Sequence, residues 1–568
     1  MGRMKRPASI IVAVLVAASC AAPGGPPAPK DTPLADLPAI DTNAILADTR
    51  ALSADEFEGR EPGSPGEEKT IAYLTDAAKK IGLEPGNPDG TYIQKVPLVG
   101  LTPEKISPLV VKRSGKTLTL KHHDQFIAFS QRVTDKIDLN DSELVFAGYG
   151  VQAPEYKWDD FKGLDVKGKT IVVLVGDPPV VDAASTATPK PLDKKTFGGD
   201  AMTYYGRWTY KYEKAAELGA AGVLIVHETG PAGYPFSVVQ GFGGQRFDLI
   251  TPDKNMGRAA VQGWLSLEAA TALMKLAGQD YDKLKAAALS PDFKPVSLGA
   301  TASMNFTQIQ RTVDSRNVIA KITGADPALK NEYVIYSAHW DHLGIGDPVN
   351  GDKIYNGAVD NASGSAMTLE IARAFKKVQP QPKRSIVFLW VTAEEQGLLG
   401  SGYYASFPLY PLAKTLANIN IDEINPWGRT KDLTIVGLGA SDLDDYTRDA
   451  AAEQGRVLKP DAEPQKGFYY RSDHFNFAKH GVPALDPDDG VDFIGKPDGY
   501  GKAKREQWSN VDYHQPSDVV KSDWDLTGAA EDGKVLFAVG YRVANAARFP
   551  EWKNGNEFKA TRDKMLGR

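Results

Sequence analysis

The sequence predicts an α/β protein: a mostly parallel central sheet sandwiched by helices, carrying an inserted β-rich block. Three observations support this. After Asn317, continuous apolar strands alternate with helical stretches. Before it lies a region of short strands and Gly- or Pro-rich loops, and candidate metal-binding side chains fall where the later apolar runs end. At 568 residues, the chain is too long for one ordinary core.

The first residues, MGRMKRPASIIVAVLVAASC, combine a basic start, an apolar stretch and a small-residue end, as a secretory signal does. The apolar stretch is too short to cross a membrane as a helix. Cys20 follows Ala17, Ala18 and Ser19, which resembles the lipid-modification box of bacterial lipoproteins, although Ala17 stands where an aliphatic residue is expected. The prolines and alanines that follow predict an extended tether. We therefore expect export to the bacterial cell envelope, facing the periplasm on a lipid anchor, or plain secretion. Cys20 is the only cysteine, so intrachain disulfides are impossible. Apolar content of 42%, charged content of 24% and a net charge of −6 suit a globular protein and disfavour nucleic-acid binding.

Ser64, Pro65 and Glu67 form a helix-start signal, with Ser64 as N-cap and Glu67 closing a capping box. Ile71, Leu74, Ala78 and Ile81 then recur at helical spacing before Gly82, which predicts a helix over 65–81. From Glu143 come the strand-like ELVFAGYGV and KTIVVLVG, a helix over Trp208 to Leu218 and the strand-like GVLIVHE. Two further helices, near Ser266 to Leu276 and Tyr281 to Leu289, precede the alternating PVSLGATASMNFTQ. This block has no clustered acids and histidines of its own. After it run EYVIYSAH, a helix from about Ala362 to Lys377, SIVFLWVTA, ANINID and LTIVGL.

Five side chains then stand out: His339, Asp360, Glu395, Asp422 and His514. Two imidazoles and three carboxylates match the donors preferred by a pair of divalent ions such as zinc, with one carboxylate left to bridge. In such sheets ligands bind beyond the carboxyl ends of strands, where His339, Glu394, Glu395 and Asp422 fall. Asp341 is the candidate acceptor for the second ring nitrogen of His339. Asp360, expected to open the helix that follows it, is assigned the bridge. Adjacent side chains at a strand end point apart, so Glu395 is expected to bind metal and Glu394 to act as general acid/base. His342 is expected to support the site or face substrate, and Arg471, Asp473 and His474 are candidate substrate-binding groups. The G-x-S-x-G elbow of a serine hydrolase is missing from the sequence.

In order, AHWDHLG, GAVDNASG, TAEEQGLLGS, NIDEI and YHQPSD resemble the motifs of the co-catalytic two-zinc peptidase family that includes bacterial leucyl aminopeptidases and glutamate carboxypeptidase II. DEFEGREPGSPGEE resembles the entry to its catalytic domain, and FAGYGVQAPEYKWDDFKGLDVKGKTIVV with AAELGAAGVLIVH resembles a protease-associated domain. The resemblance implies two Zn2+ per chain, with His339 and Asp422 on one, Glu395 and His514 on the other and Asp360 on both. It also implies a peptide substrate and Glu394 as proton carrier. The expected organisation is a signal over 1–19, lipidated Cys20 and tether over 20–40, a first catalytic part over 41–108, the protease-associated insertion over 109–312, a second catalytic part over 313–550 and a tail over 551–568.

The function implied is a zinc exopeptidase, most often an aminopeptidase among signal-bearing bacterial relatives, with a carboxypeptidase or dipeptidase as alternative. A carboxypeptidase needs a cation for the substrate carboxylate, for which Arg471 is the candidate. The insertion is expected to cover one side of the cleft and limit access by long chains. A non-catalytic binding protein or a single-zinc glutaminyl cyclotransferase would use the same scaffold.

Overall fold

The computed structural model describes residues 32–241 and 244–568. The expected signal, Cys20 and the start of the tether lie outside the described residues.

The sheet that positions the site is built from β1 (Ile93–Glu104), β2 (Val296–Ile322), β3 (Tyr333–His339), β4 (Ser385–Val391), β5 (Thr415–Asn420), β6 (Asp432–Val436), β7 (Val457–Pro460) and β8 (Ala484–Asp488). Its spatial order is β1-β2-β4-β3-β5-β8-β6-β7. The inner β4-β3-β5-β8 pairings are parallel, and β2 and β6 run antiparallel to their inner neighbours.

β3 and β4 are buried along their whole length, which explains why they are apolar on both faces. Side chains alternate across the strand. Val334, Tyr336 and Ala338 join one apolar cluster with Met367, Phe375 and Phe537. Tyr333 and Ile335 join the other, with Tyr404 and Phe477. The helices covering the first face are α1 (Pro65–Ile81), α2 (Gly364–Lys377) and the long Thr527–Asn545 helix near the C-terminus, so the expected two-faced α/β sandwich is observed.

α1 has the predicted bounds. The Ser64 hydroxyl accepts from Glu67 N, Pro65 is the first helical residue and Gly82 closes the helix at φ 82°. Residues Trp208–Glu217, Leu267–Leu276 and Tyr281–Ala287 are likewise helical.

The β-rich block pairs Phe126–Phe129, Val261–Leu265, Gly222–Val226, Thr170–Leu174 and Lys136–Phe146 in that order. Lys136–Phe146 in turn pairs with the first half of β2. β2 is one strand of 27 residues that continues through the expected boundary at residue 312 into the main sheet. The tether expected to reach residue 40 is already docked at Leu34, since Leu34, Leu37 and Ile40 are buried in the main core. The tail is docked too: Trp552 and Phe558 are buried, and Lys559–Met565 is helical.

Candidate metal centre

His339 is the last residue of β3, and Asp422 follows β5 after one residue. Their side chains meet, with His339 Nε2 lying 3.0 Å from Asp422 Oδ1 and 3.2 Å from Asp360 Oδ1. On the far side of Asp360, Oδ2 lies 3.2 Å from His514 Nε2, which is also 3.1 Å from Glu395 Oε2. The five predicted ligands therefore converge, and Asp360 presents one oxygen to each half.

Two sets of ligand atoms, His339, Asp360 and Asp422, and His342, Asp360 and Glu395, each lie within 4.8 Å of one another. Buried His514 Nε2 and Glu395 Oε1 make no aligned hydrogen bond despite these close neighbours. Lone pairs that aim at a shared point rather than at a proton fit a pair of divalent cations, and mixed imidazole and carboxylate donors suit zinc.

Asp360 does not cap the helix that follows, because α2 begins only at Gly364, whose N–H donates to Asn361 Oδ1 at 2.9 Å. Asp518 sets its position instead by accepting from Asp360 N at 3.1 Å and from Val359 N at 3.1 Å. Asn361 joins the Asp360 loop to the Asp422 loop, donating to Ile421 O and accepting from Glu423 N. The motif YHQPSD contains Asp518, but nothing local marks it as a brace for a residue 158 positions earlier.

The support expected of Asp341 takes a different form. His339 Nδ1 lies 3.1 Å from the Asp341 main-chain carbonyl, whereas the Asp341 carboxylate is 3.7 Å away and accepts from Glu394 N at 3.1 Å. Asp341 thus orients the histidine through its backbone and the glutamate through its side chain. Ser472, which drew no attention in the sequence, donates to Asp422 Oδ2 at 2.5 Å and accepts from Asn420.

His342 is fully buried, and its Nδ1 lies 2.6 Å from Glu395 Oε1. It is therefore a neighbour of Glu395 and does not face solvent. Asp473 and His474 also lack exposed surface. Asp473 accepts from Ser401 at 2.5 Å, and His474 packs on Tyr469, where burial lowers its pKa to about 3. Neither can touch substrate in this arrangement, which corrects the expectation. Arg471 is exposed, stacked over Phe468 at 5.2 Å and within electrostatic reach of Tyr513.

Glu394 lies 4.0 Å from His339 Nε2. Burial raises its pKa well above the ordinary value, opposed by His339 and assisted by Asp422, Glu395 and Asp473. For Glu395, burial and Asp360 push upward, but His514 and His342 outweigh them and hold it near 2. Neighbouring glutamates thus have opposite proton preferences.

Residues 317–538 match the model of peptidase family M28. Over these residues the chain is similar to that family. The M28 region contains every candidate metal ligand and Glu394. Similar proteins include leupeptin-inactivating enzyme 1 of Streptomyces exfoliatus, 31% identical over 234 residues, covering 39% of this chain and 47% of that one. Leucine aminopeptidase 2 of Trichophyton equinum is 27% identical over 261 residues, covering 43% and 48%. The chain spans about half the length of these relatives. Among solved structures, the aminopeptidase from Aneurinibacillus sp. strain AM-1 aligns at 20% identity with a TM-score of 0.48, covering 89% of this chain and 94% of that one.

Proposed function

We propose that the protein is a zinc-dependent exopeptidase, an aminopeptidase, using two Zn2+ per chain. His339 and Asp422 would hold one ion, Glu395 and His514 the other, and Asp360 both. The observation that carries this is the placement of the two Asp360 oxygens, each 3.2 Å from a different histidine. When bound, the metal pair supplies Lewis acidity to the scissile carbonyl and to water. Glu394 takes the proton as water adds to the carbonyl carbon, then delivers it to the amine as the C–N bond breaks.

Relatives named leucine aminopeptidase support cleavage at the amino end. Exposed Arg471 favours a second reading, a carboxypeptidase or dipeptidase, since a guanidinium at the cleft edge suits a substrate carboxylate. A panel of free aminoacyl substrates and N-blocked dipeptides, with and without chelator, decides. Turnover of the first set alone, abolished by chelator, is expected. Turnover of blocked dipeptides alone would favour the second reading, and chelator-resistant turnover would refute the metal.

The β-rich block, which we take as a protease-associated domain, is proposed to limit peptide length. Tyr234, on its loop after Gly222–Val226, lies within electrostatic reach of Arg471. Shortening that loop should admit longer peptides, and an unchanged length profile would count against the role. The basic and apolar N-terminal sequence with Cys20 supports an exported, lipid-anchored protein, which mass measurement of the mature N-terminus would test.

A further inference from the structure

Arg60 comes from outside the M28 region, from the segment DEFEGREPGS, and is 1% exposed. Among the described residues, no carboxylate bonds to it directly. Its guanidinium is spent on main-chain carbonyls: Nε donates to Trp340 O at 2.8 Å, Nη1 to Leu52 O at 2.9 Å and Asn356 O at 2.5 Å, and Nη2 to Gly357 O at 2.8 Å. Trp340 lies between His339 and Asp341, and Gly357 lies three residues before Asp360. The Arg60 carbonyl in turn accepts from His342 N at 3.3 Å. One side chain thus ties together the loops that carry His339 and Asp360, and its backbone holds His342.

The segment has no slack. Gly59 has φ 66°, and a Cβ there would meet Gly344 O and Tyr355 O at 2.5 Å. At Gly357 a Cβ would meet Asp360 O at 2.2 Å and the His342 ring at 2.5 Å. Arg60 itself has φ 54°. Burial lowers its pKa to about 10, opposed by Asp341, Asp360, Asp518 and Glu395, so it remains a cation at neutral pH.

We infer that Arg60 is a positioning residue for the metal centre, fixing the distance between His339 and Asp360 by joining the backbones of their two loops. This rests on the two-zinc reading above. Lysine preserves the charge but gathers its donors on a single nitrogen, which cannot reach four carbonyls spread around a planar fork.

The test compares Arg60→Lys with Arg384→Lys, each as the full chain. Arg384, at the start of β4 and so at the opposite end of that strand from Glu394 and Glu395, is also buried, pairs with Glu332 and donates to the Ala544 and Ala546 carbonyls. Zinc affinity is measured by competition with a chromophoric chelator, and apoprotein melting is followed separately. Arg60→Lys is expected to bind zinc at least tenfold more weakly, while Arg384→Lys lowers the melting temperature and leaves zinc affinity unchanged. Should Arg60→Lys not fold, Asn356→Ala, which frees the same loop from Ser53 O and Asp55, is expected to weaken zinc binding in the same direction. Unchanged zinc affinity in the folded variant, or an equal loss in Arg384→Lys, overturns the inference. Failure of the unsubstituted protein to bind zinc would instead remove the two-zinc reading itself.

Discussion

His342 Nδ1 lies 2.6 Å from Glu395 Oε1, while the other oxygen of Glu395 faces His514. The two histidines thus divide one carboxylate between them, and their substitutions should differ. His514→Ala is expected to lose one zinc equivalent. His342→Gln is expected to keep two, with roughly 10- to 100-fold weaker affinity, the usual cost of removing a group that orients a ligand. Metal analysis after dialysis against graded chelator separates these outcomes, and loss of a full equivalent from His342→Gln would exchange the two roles.

Glu394 and Asp360 should separate chemistry from metal retention. Glu394→Gln is expected to lower kcat by about 10³-fold while both zinc ions stay bound, because only the proton carrier is lost. Asp360→Ala should lose both ions along with activity. Steady-state kinetics beside metal content distinguishes them, and zinc loss from Glu394→Gln would contradict its assignment as acid/base.

Gly540, on the Thr527–Asn545 helix, marks how closely that helix packs on β3. A Cβ at this position would meet Tyr336 Oη at 1.9 Å, and that hydroxyl donates to Leu536 O at 2.8 Å. Gly540→Ala is expected to destabilise the fold by about 1–3 kcal/mol through overpacking, read as a shift in the urea midpoint. Zinc affinity per folded molecule should not change.

Glu557 makes stability depend on pH. Burial raises its pKa from 4.5 to about 7, with the Tyr470 hydroxyl opposing and Asp177 and Glu155 assisting. The native state therefore binds more protons than the unfolded chain between these values, so stability falls as pH rises from about 4.5 to 7. Discounted for part exposure, the contribution is on the order of 2 kcal/mol. Glu557→Gln should flatten this slope in melting temperature against pH, and an unaltered slope would show that other groups carry it.

The main-sheet strands and the 65–81 helix were legible because their causes are local. Apolar runs buried on both faces read as parallel strands, and Ser64, Pro65 and Gly82 mark helix ends by their own chemistry. The five ligands were legible because four of them lie near those strand ends or helix starts. What stayed hidden depends on distant partners. Asp360 looked like a cap, but its backbone is set by Asp518. Asp341 supports His339 through a carbonyl, which leaves no trace in residue type. Asp473 and His474 looked substrate-facing because polarity in a loop suggests exposure, and only the packing of Tyr469 and Ser401 shows them buried. Arg60 gave no signal, since its partners are backbone atoms from three separate segments.

β2 pairs at one end with the β-rich block and at the other with β4 of the metal-bearing sheet. A backbone ladder shared by both regions acts as a splint: bending one against the other would mean breaking pairings along a single strand, with no pivot between them. Adjustment near Arg471 is therefore left to loops, such as the one bearing Tyr234. Grafting a foreign insertion onto this scaffold would have to preserve the whole 27-residue strand.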